Sequence, residues 1–265
     1  MSNFNINVLK NALENMPFHE NELAYLSISG QSEDTFRDRL GYYLANQNHN
    51  GGYTRWTSFF PKEAVLKSKP IDLALLTGKG NIEDRVEVIM EFKHLFMTQI
   101  LYGDELNGKK ESSGVKVRIL KDILSRLKIV KEIQERKNRK IQQYQVLFIS
   151  HYIADKNYEK LIDRQEIYTH NIAKYLHVPG KRKELGLIRK SLELENENSP
   201  FTDERGIYHE DGLIPKIKEK INEVFNNHEE FNVNVECGRL DKNRLHKYHY
   251  FIAKPFFIIM EITPK

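Results

Sequence analysis

Residues 70–94 restrict the possible fold more than any other part of the chain. They form two apolar, partly β-branched arms, residues 70–76 and 85–94, separated by a polar turn that contains Gly78 and Gly80. Glycine adopts the positive φ that a hairpin or a short loop requires. The simplest interpretation is a pair of adjacent antiparallel strands.

Three charged side chains interrupt these arms. Asp72 lies within the first arm, and Glu91 and Lys93 lie near the end of the second. Because side chains alternate along a strand, Glu91 and Lys93 share one face while Phe92 points to the other, into the core. Charges beside a core are costly unless they are paired or bind a metal. If the hairpin places Asp72 beside Glu91, their mutual repulsion favours a divalent cation between them.

The two arms together carry a recognisable motif. Pro70-Ile71-Asp72 followed by Glu91-Phe92-Lys93 resembles the signature of the PD-(D/E)XK nuclease superfamily, which has the restriction-endonuclease-like fold. In that family the proline directly precedes the aspartate, whereas Ile71 intervenes here. A Glu-x-Lys triplet recurs at Glu135-Arg136-Lys137 within a charged helical stretch, so the alternative for the first copy is a charged strand end in an ordinary sheet.

The resemblance implies roles for individual residues. Asp72 and Glu91 would hold Mg²⁺, and the backbone carbonyl of Phe92 would complete the coordination. Lys93 would contact the attacking water and the scissile phosphate. Glu33 resembles the additional glutamate that the family often carries on the helix before the first core strand. The alternative for Glu33 is a first-turn carboxylate, following an N-cap at Ser32, that the helix dipole favours.

The order of elements agrees with this resemblance over roughly residues 29–153. A helix begins near Ser32, residues 53–60 are typical of a strand, the two arms follow, residues 115–135 have helical periodicity, and residues 142–150 form an apolar strand. We therefore predict an α/β fold with a restriction-endonuclease-like αβββαβ core, its mixed central sheet flanked by helices. We divide the chain into an N-terminal helical segment (1–28), the nuclease core (29–153) and an α+β extension (154–265) packed with the core as one unit.

The predicted helix at residues 115–135 is strongly basic on its polar face. Between Lys116 and Lys140 there are ten basic and three acidic residues. Basic patches bind phosphate backbones, although a solvated charged face is the alternative. The candidate DNA-binding residues are Lys116, Arg118, Lys121, Arg126 and Lys128.

The second half of the chain carries no motif that indicates a function. Helices are predicted at residues 158–176, 183–195 and 211–226, and strands at residues 231–236 and 248–262. This half could extend the sheet, form a dimer surface or read bases. His246 and His249, with Asp241 nearby, could bind a metal, but histidines at a strand start are more often structural.

Composition excludes several classes of protein. The 265 residues can bury a substantial core, and no apolar window is long enough to span a membrane. The single cysteine, Cys237, rules out an internal disulfide and a multi-cysteine zinc site. The N-terminus lacks the pattern of a secretion signal, so we expect a cytoplasmic protein that does not bind membranes.

These observations favour a magnesium-dependent endonuclease that acts on double-stranded DNA. The expected form is a type II restriction enzyme working as a homodimer, because cutting both strands of a symmetric site needs two active centres. One alternative is a repair, recombination or phage-defence nuclease of the same fold without strict sequence specificity. Another is a catalytically silent protein that binds DNA or a protein partner.

Overall fold

The computed structural model describes most of the first half of the chain and the C-terminal segment. The described residues are 4–19, 21–29, 32–47, 52–56, 71–80, 82–96, 115–150, 152–154, 210–226, 228–241, 246–248, 251–253 and 255–265. Their helices are α1 (Ile6–Asn15), α2 (Glu22–Ser29), α3 (Glu33–Asn46), α4 (Ile82–Arg85), α5 (Val115–Lys137) and α6 (Glu210–Phe225). Their strands are β1 (Gly52–Trp56), β2 (Ile71–Leu76), β3 (Val86–Phe96), β4 (Gln142–Ser150), β5 (Tyr152–Ala154), β6 (Phe231–Arg239), β7 (His246–Tyr248), β8 (Phe251–Ala253) and β9 (Phe256–Pro264).

A six-stranded mixed sheet forms the centre of the fold, with strand order β1-β2-β3-β4-β9-β6. Strands β1, β2 and β3 are antiparallel neighbours, and β3 pairs in parallel with β4. Helix α5 lies between β3 and β4 in the chain, which supplies the long crossover that a parallel pair requires. The predicted α/β class is observed, and the described elements between residues 33 and 150 follow the predicted order helix, three strands, helix, strand, with the short α4 before β3.

The two faces of this sheet are covered by different helices. Alternate side chains of β3, namely Val88, Met90 and Phe92, join a core formed with α1, α2 and α3. Leu95 of β3 joins a second core with α5 and α6, and Ile89 packs with the C-terminal half of α5. Glu91 and Lys93 have the same parity as Ile89 and Leu95, so they lie on the α5 face.

Stacked aromatic rings hold α3 against β3 and β4 of the central sheet. The ring of Phe36 stacks on Phe148 at 4.4 Å, and Phe148 lies parallel to Phe92 at 5.7 Å. All three side chains are buried. Because Phe36 lies one turn after Glu33, this packing fixes the N-terminal turn of α3 close to the end of β3.

Ser32 precedes α3 as predicted, but its side chain makes no capping hydrogen bond. Its backbone is already helical (φ −85°, ψ −8°), whereas a capping side chain needs an extended backbone at that position. The predicted N-cap position of Ser32 is confirmed, without the side-chain hydrogen bond that often accompanies it.

The C-terminal strands extend the same sheet. Strand β9 pairs with β4 and with β6, antiparallel in both cases, and α6 covers the α5 face. Strands β5, β8 and β7 form a separate three-stranded sheet. The helices predicted at residues 158–176 and 183–195 and the end of the strand predicted at 53–60 lie outside the described residues. Among the described helices, none is both long and apolar enough to cross a bilayer.

Gly238 on β6 is a sensitive packing position. A Cβ at this residue would lie 2.4 Å from Cζ of Phe257 and 2.9 Å from Oε1 of Glu14. We expect Gly238→Ala to lower the free energy of unfolding by about 1–3 kcal/mol, because a filled core resists an added methyl group. Urea unfolding measures the change, with Asn232→Ala, at an exposed position of the same strand, as the control. Equal stability of Gly238→Ala and the wild type would contradict this packing.

Candidate active site

Asp72 and Glu91 meet where the pairing between β2 and β3 ends. The last backbone register pair is Leu73 with Met90, so Asp72 and Glu91 occupy the next positions. The N–H of Phe92 donates to Oδ2 of Asp72 at 2.9 Å, and the N–H of Asp72 makes a long contact of 3.4 Å with Oε1 of Glu91. Each carboxylate is thus held against the backbone of the neighbouring strand.

Glu91 is buried, at 4% exposure, and is paired with an arginine from α5. Nε of Arg126 donates to Oε1 of Glu91 at 2.5 Å. Burial raises the pKa of Glu91 to about 7, and the charge of Asp72 adds to this effect, while Arg126 opposes it. Gln145, the register partner of Glu91 on β4, donates its amide to the Glu91 carbonyl at 3.2 Å.

Lys93 lies between two further carboxylates. Its Nζ is 3.1 Å from Oδ2 of Asp122 on α5 and 3.9 Å from Oε1 of Glu33 on α3. The other oxygen of Glu33 accepts the backbone N–H of His94 at 3.2 Å. Glu33 therefore contacts both the side chain and the backbone at the end of β3, which no first-turn carboxylate facing solvent would do.

Burial and charge shift the pKa values of this trio. Burial raises the pKa of Glu33, against the opposing charge of Lys93, and the charge of Asp72 raises it further. Burial alone would lower the pKa of Lys93, but the negative charges of Glu33 and Asp122 outweigh it and raise the pKa above its ordinary value. Lys93 is therefore a cation at neutral pH.

These six side chains form one charged cluster, which contains Glu33, Asp72, Glu91, Lys93, Asp122 and Arg126. Four acids and two bases give it a charge of −2 when all are ionised. Within the described parts of the chain, no three Asp, Glu, His or Cys side chains form a ready-made metal site. Arg126 holds Glu91, and the Glu33 oxygens contact Lys93 and the N–H of His94.

The sequence prediction brought four members of the charged cluster together, assigned Arg126 to DNA binding and gave no role to Asp122. Asp72, Glu91, Lys93 and Glu33 converge, whereas Asp122 had no assigned role. The available signal was its position, since Asp122 lies within the apolar stripe of α5 between Ile119 and Ile123. A charged residue within such a stripe faces the core and requires a partner there.

The candidate DNA-binding residues on α5 occupy two different environments. Arg118, Lys121 and Lys128 are exposed, and Lys116 is half-buried. Arg126 is only 2% exposed and is held by Glu91, so its expected place on the outer face of the helix was wrong. Residue 126 follows Ile119 and Ile123 on the buried stripe, which explains its direction.

His246 is buried and lies beside Asp241. Nε2 of His246 lies 3.2 Å from Oδ2 of Asp241, and His246 is 1% exposed. His249 lies outside the described residues. The histidine therefore has a structural partner in Asp241.

Comparisons of the chain with protein-family models, with curated proteins and with solved structures give no match. Its function is therefore inferred from the geometry of the charged cluster.

The raised pKa of Glu91 makes the stability of the chelator-treated protein depend on pH. Folded Glu91 keeps its proton up to about pH 7, whereas the ordinary value is 4.5. The folded state therefore binds more protons between these values, and the free energy of unfolding falls as the pH rises through them. The shift corresponds to on the order of 3 kcal/mol. We expect Glu91→Gln to remove this dependence in urea unfolding curves, and an unchanged slope would contradict the assignment.

Proposed function

We propose that the protein is a magnesium-dependent endonuclease of the type II restriction kind, which cleaves double-stranded DNA in the cytoplasm as a homodimer. The observation that carries this proposal is the meeting of Asp72 and Glu91 on adjacent strands, with Lys93 on the same face of β3. Two carboxylates and an amine in this arrangement are the groups that phosphodiester hydrolysis needs.

The charged cluster suits a hard divalent cation. Its ligands are carboxylate oxygens, which Mg²⁺ prefers, and its acids outnumber its bases by two. Asp72 and Glu91, with the main-chain carbonyl of Phe92, would hold the ion. Bound there, Mg²⁺ would neutralise charge on the phosphate and lower the pKa of a coordinated water.

Lys93 contributes the positive charge of the protein itself. The charges of Glu33 and Asp122 keep its amine protonated, and the side chain retains 29% exposure, so a phosphate oxygen can reach it. An ammonium donor aimed at a non-bridging oxygen stabilises the charge that grows there in the transition state. Glu33 on α3 accepts a hydrogen bond from the backbone N–H of His94, and its other oxygen lies near the Lys93 amine. It therefore restricts the position of the Lys93 side chain.

The fold supports the same proposal through its connectivity. Elements α3, β1, β2, β3, α5 and β4 follow one another as the resemblance to PD-(D/E)XK nucleases implies, and β4 is parallel to β3. The exposed cations Arg118, Lys121 and Lys128 lie on α5, the helix that also contributes to the charged cluster. Phosphates bound along this helix would lie near the cluster.

The second candidate function is DNA binding without cleavage. The observation that favours it is that Glu91 and Lys93 already have buried partners, Arg126 and Asp122, which a metal or a phosphate would have to compete with. This candidate predicts retention of DNA on a gel and no magnesium-dependent cleavage.

Cleavage of a supercoiled plasmid with and without Mg²⁺ tests the proposal, and Lys93→Met tests the role of the amine. We expect wild-type cleavage that a chelator stops, and a rate about 10²- to 10³-fold lower for Lys93→Met, the range seen when one charge-stabilising donor is removed. Lys79→Met, at an exposed position in the turn after β2, is the control. A ladder of discrete fragments indicates a restriction enzyme, and a smear indicates a nuclease without strict specificity. Equal rates for Lys93→Met and the wild type would contradict the assigned role.

A further inference from the structure

Two side chains of α5 match the spacing of two side chains on β3. Asp122 and Arg126 are four residues apart on the helix, which corresponds to about 6 Å along its axis. Glu91 and Lys93 are two residues apart on the strand, which corresponds to about 6.6 Å. Asp122 meets Lys93 at 3.1 Å and Arg126 meets Glu91 at 2.5 Å. Each contact joins opposite charges.

Packing leaves this pair of contacts little freedom. Ile119, Ile123 and Leu127 of α5 are buried beside Asp122 and Arg126, and Arg126 is 2% exposed. Burying an acid and a base in an apolar interface is expensive unless each is paired, and here each pairs with a different residue of the same strand. Leucine or isoleucine at these two positions would pack the helix against the sheet without the free-energy cost of burying charges. The charges are therefore explained better by their partners than by the packing of α5.

We infer that Asp122 and Arg126 are positioning residues of the proposed nuclease site. Asp122 holds the Lys93 amine on the α5 face of β3, and Arg126 fixes Oε1 of Glu91. The inference rests on the proposed function, because it assigns these residues to Lys93 and Glu91 as groups that act on DNA and metal. It predicts two separable effects of α5: Asp122 positions Lys93, and Arg126 positions Glu91.

The experiment compares Asp122→Asn, Asp122→Glu and Arg126→Lys with the wild type. Single-turnover plasmid cleavage reports the chemical step, calorimetric titration with Ca²⁺ reports metal binding without turnover, and thermal unfolding reports stability. Glu135→Gln, an exposed acid on the same helix, is the control.

For Asp122→Asn we expect cleavage to slow by about 10- to 100-fold, the usual loss when a partner of an active-site group is removed. Its Ca²⁺ affinity should fall less than its cleavage rate, because Asp122 adds negative charge near Glu91 but holds Lys93. Asp122→Glu should recover most of the rate. For Arg126→Lys we expect Ca²⁺ affinity to fall by about 10- to 100-fold, because lysine keeps the charge and loses the planar donor that fixes Oε1.

The outcomes separate this inference from the proposed function. A wild-type protein that neither binds Ca²⁺ nor cleaves DNA with Mg²⁺ would overturn both. A wild-type protein that cleaves, with Asp122→Asn equally fast or Arg126→Lys equal in Ca²⁺ affinity, would overturn the inference alone. A loss of rate in Asp122→Asn that follows a lower unfolding temperature and is not restored by Asp122→Glu would also overturn it, since Asp122 would then be structural.

Discussion

Asp72→Asn should reduce magnesium-dependent cleavage by about 10³-fold or more. The substitution keeps the shape of the side chain and an oxygen that can accept the N–H of Phe92, which Asp72 holds at 2.9 Å. It removes one of the two charges proposed to hold Mg²⁺. Metal stabilisation of transition-state charge is worth several kcal/mol, and each 1.36 kcal/mol is about a factor of ten in rate. The measurement is the initial rate of plasmid nicking at saturating Mg²⁺.

The control for Asp72→Asn is Asp38→Asn on α3. Asp38 is 68% exposed and pairs with Arg37, away from the charged cluster, so its removal should leave the rate unchanged. The unfolding temperature of Asp72→Asn should stay at or above the wild-type value, because one repelling charge next to Glu91 is lost. Cleavage by Asp72→Asn at the wild-type rate would exclude Asp72 as a metal ligand.

Arg126→Met should be the most destabilising single change considered for this protein. It leaves Glu91 buried without the cation that contacts its Oε1 at 2.5 Å. Removing one partner of a buried ion pair costs about 3–5 kcal/mol. The loss should be largest above pH 7, where Glu91 is ionised in the wild type, and should shrink as the pH falls and Glu91 takes up a proton. Urea unfolding of the chelator-treated protein at several pH values measures it.

A double variant distinguishes loss of the Glu91–Arg126 ion pair from loss of side-chain packing as the cause of the destabilisation. Glu91→Gln combined with Arg126→Met removes both charges, so it should recover much of the stability that Arg126→Met loses at high pH. Lys121→Met, at an exposed position of α5, should change stability little. If Arg126→Met lost the same free energy at every pH and the double variant recovered none of it, the ion pair would not account for the effect.

Local pattern was enough to predict the part of the fold that carries the motif. The two apolar arms became β2 and β3, and strand alternation placed Glu91 and Lys93 on one face because that alternation depends only on neighbouring residues. Helical periodicity predicted α5, and an apolar run predicted β4. The predicted contact of Glu33 with the site depended on longer-range packing, and the stacking of Phe36 on Phe148 shows how it arises.

What the sequence did not predict depends on contacts between distant residues. Arg126 was assigned to DNA by charge alone, because nothing in a one-dimensional pattern shows that Glu91, 35 residues earlier, lies beneath it. Asp122 was overlooked for the same reason. Ser32 occupies the predicted N-cap position, but its backbone is helical and its side chain makes no capping hydrogen bond, which the sequence does not determine. Residues 155–209, for which two helices were predicted, lie outside the described part of the chain.

The most direct test of the proposed site is a crystal grown with Mn²⁺ and measured at the manganese absorption edge. If Asp72 and Glu91 hold the divalent cation, an anomalous peak should lie between their carboxylates and should disappear in crystals of Asp72→Asn. Data of good quality that show no peak between these two carboxylates, or the same peak in the variant, would contradict the proposed metal-dependent mechanism.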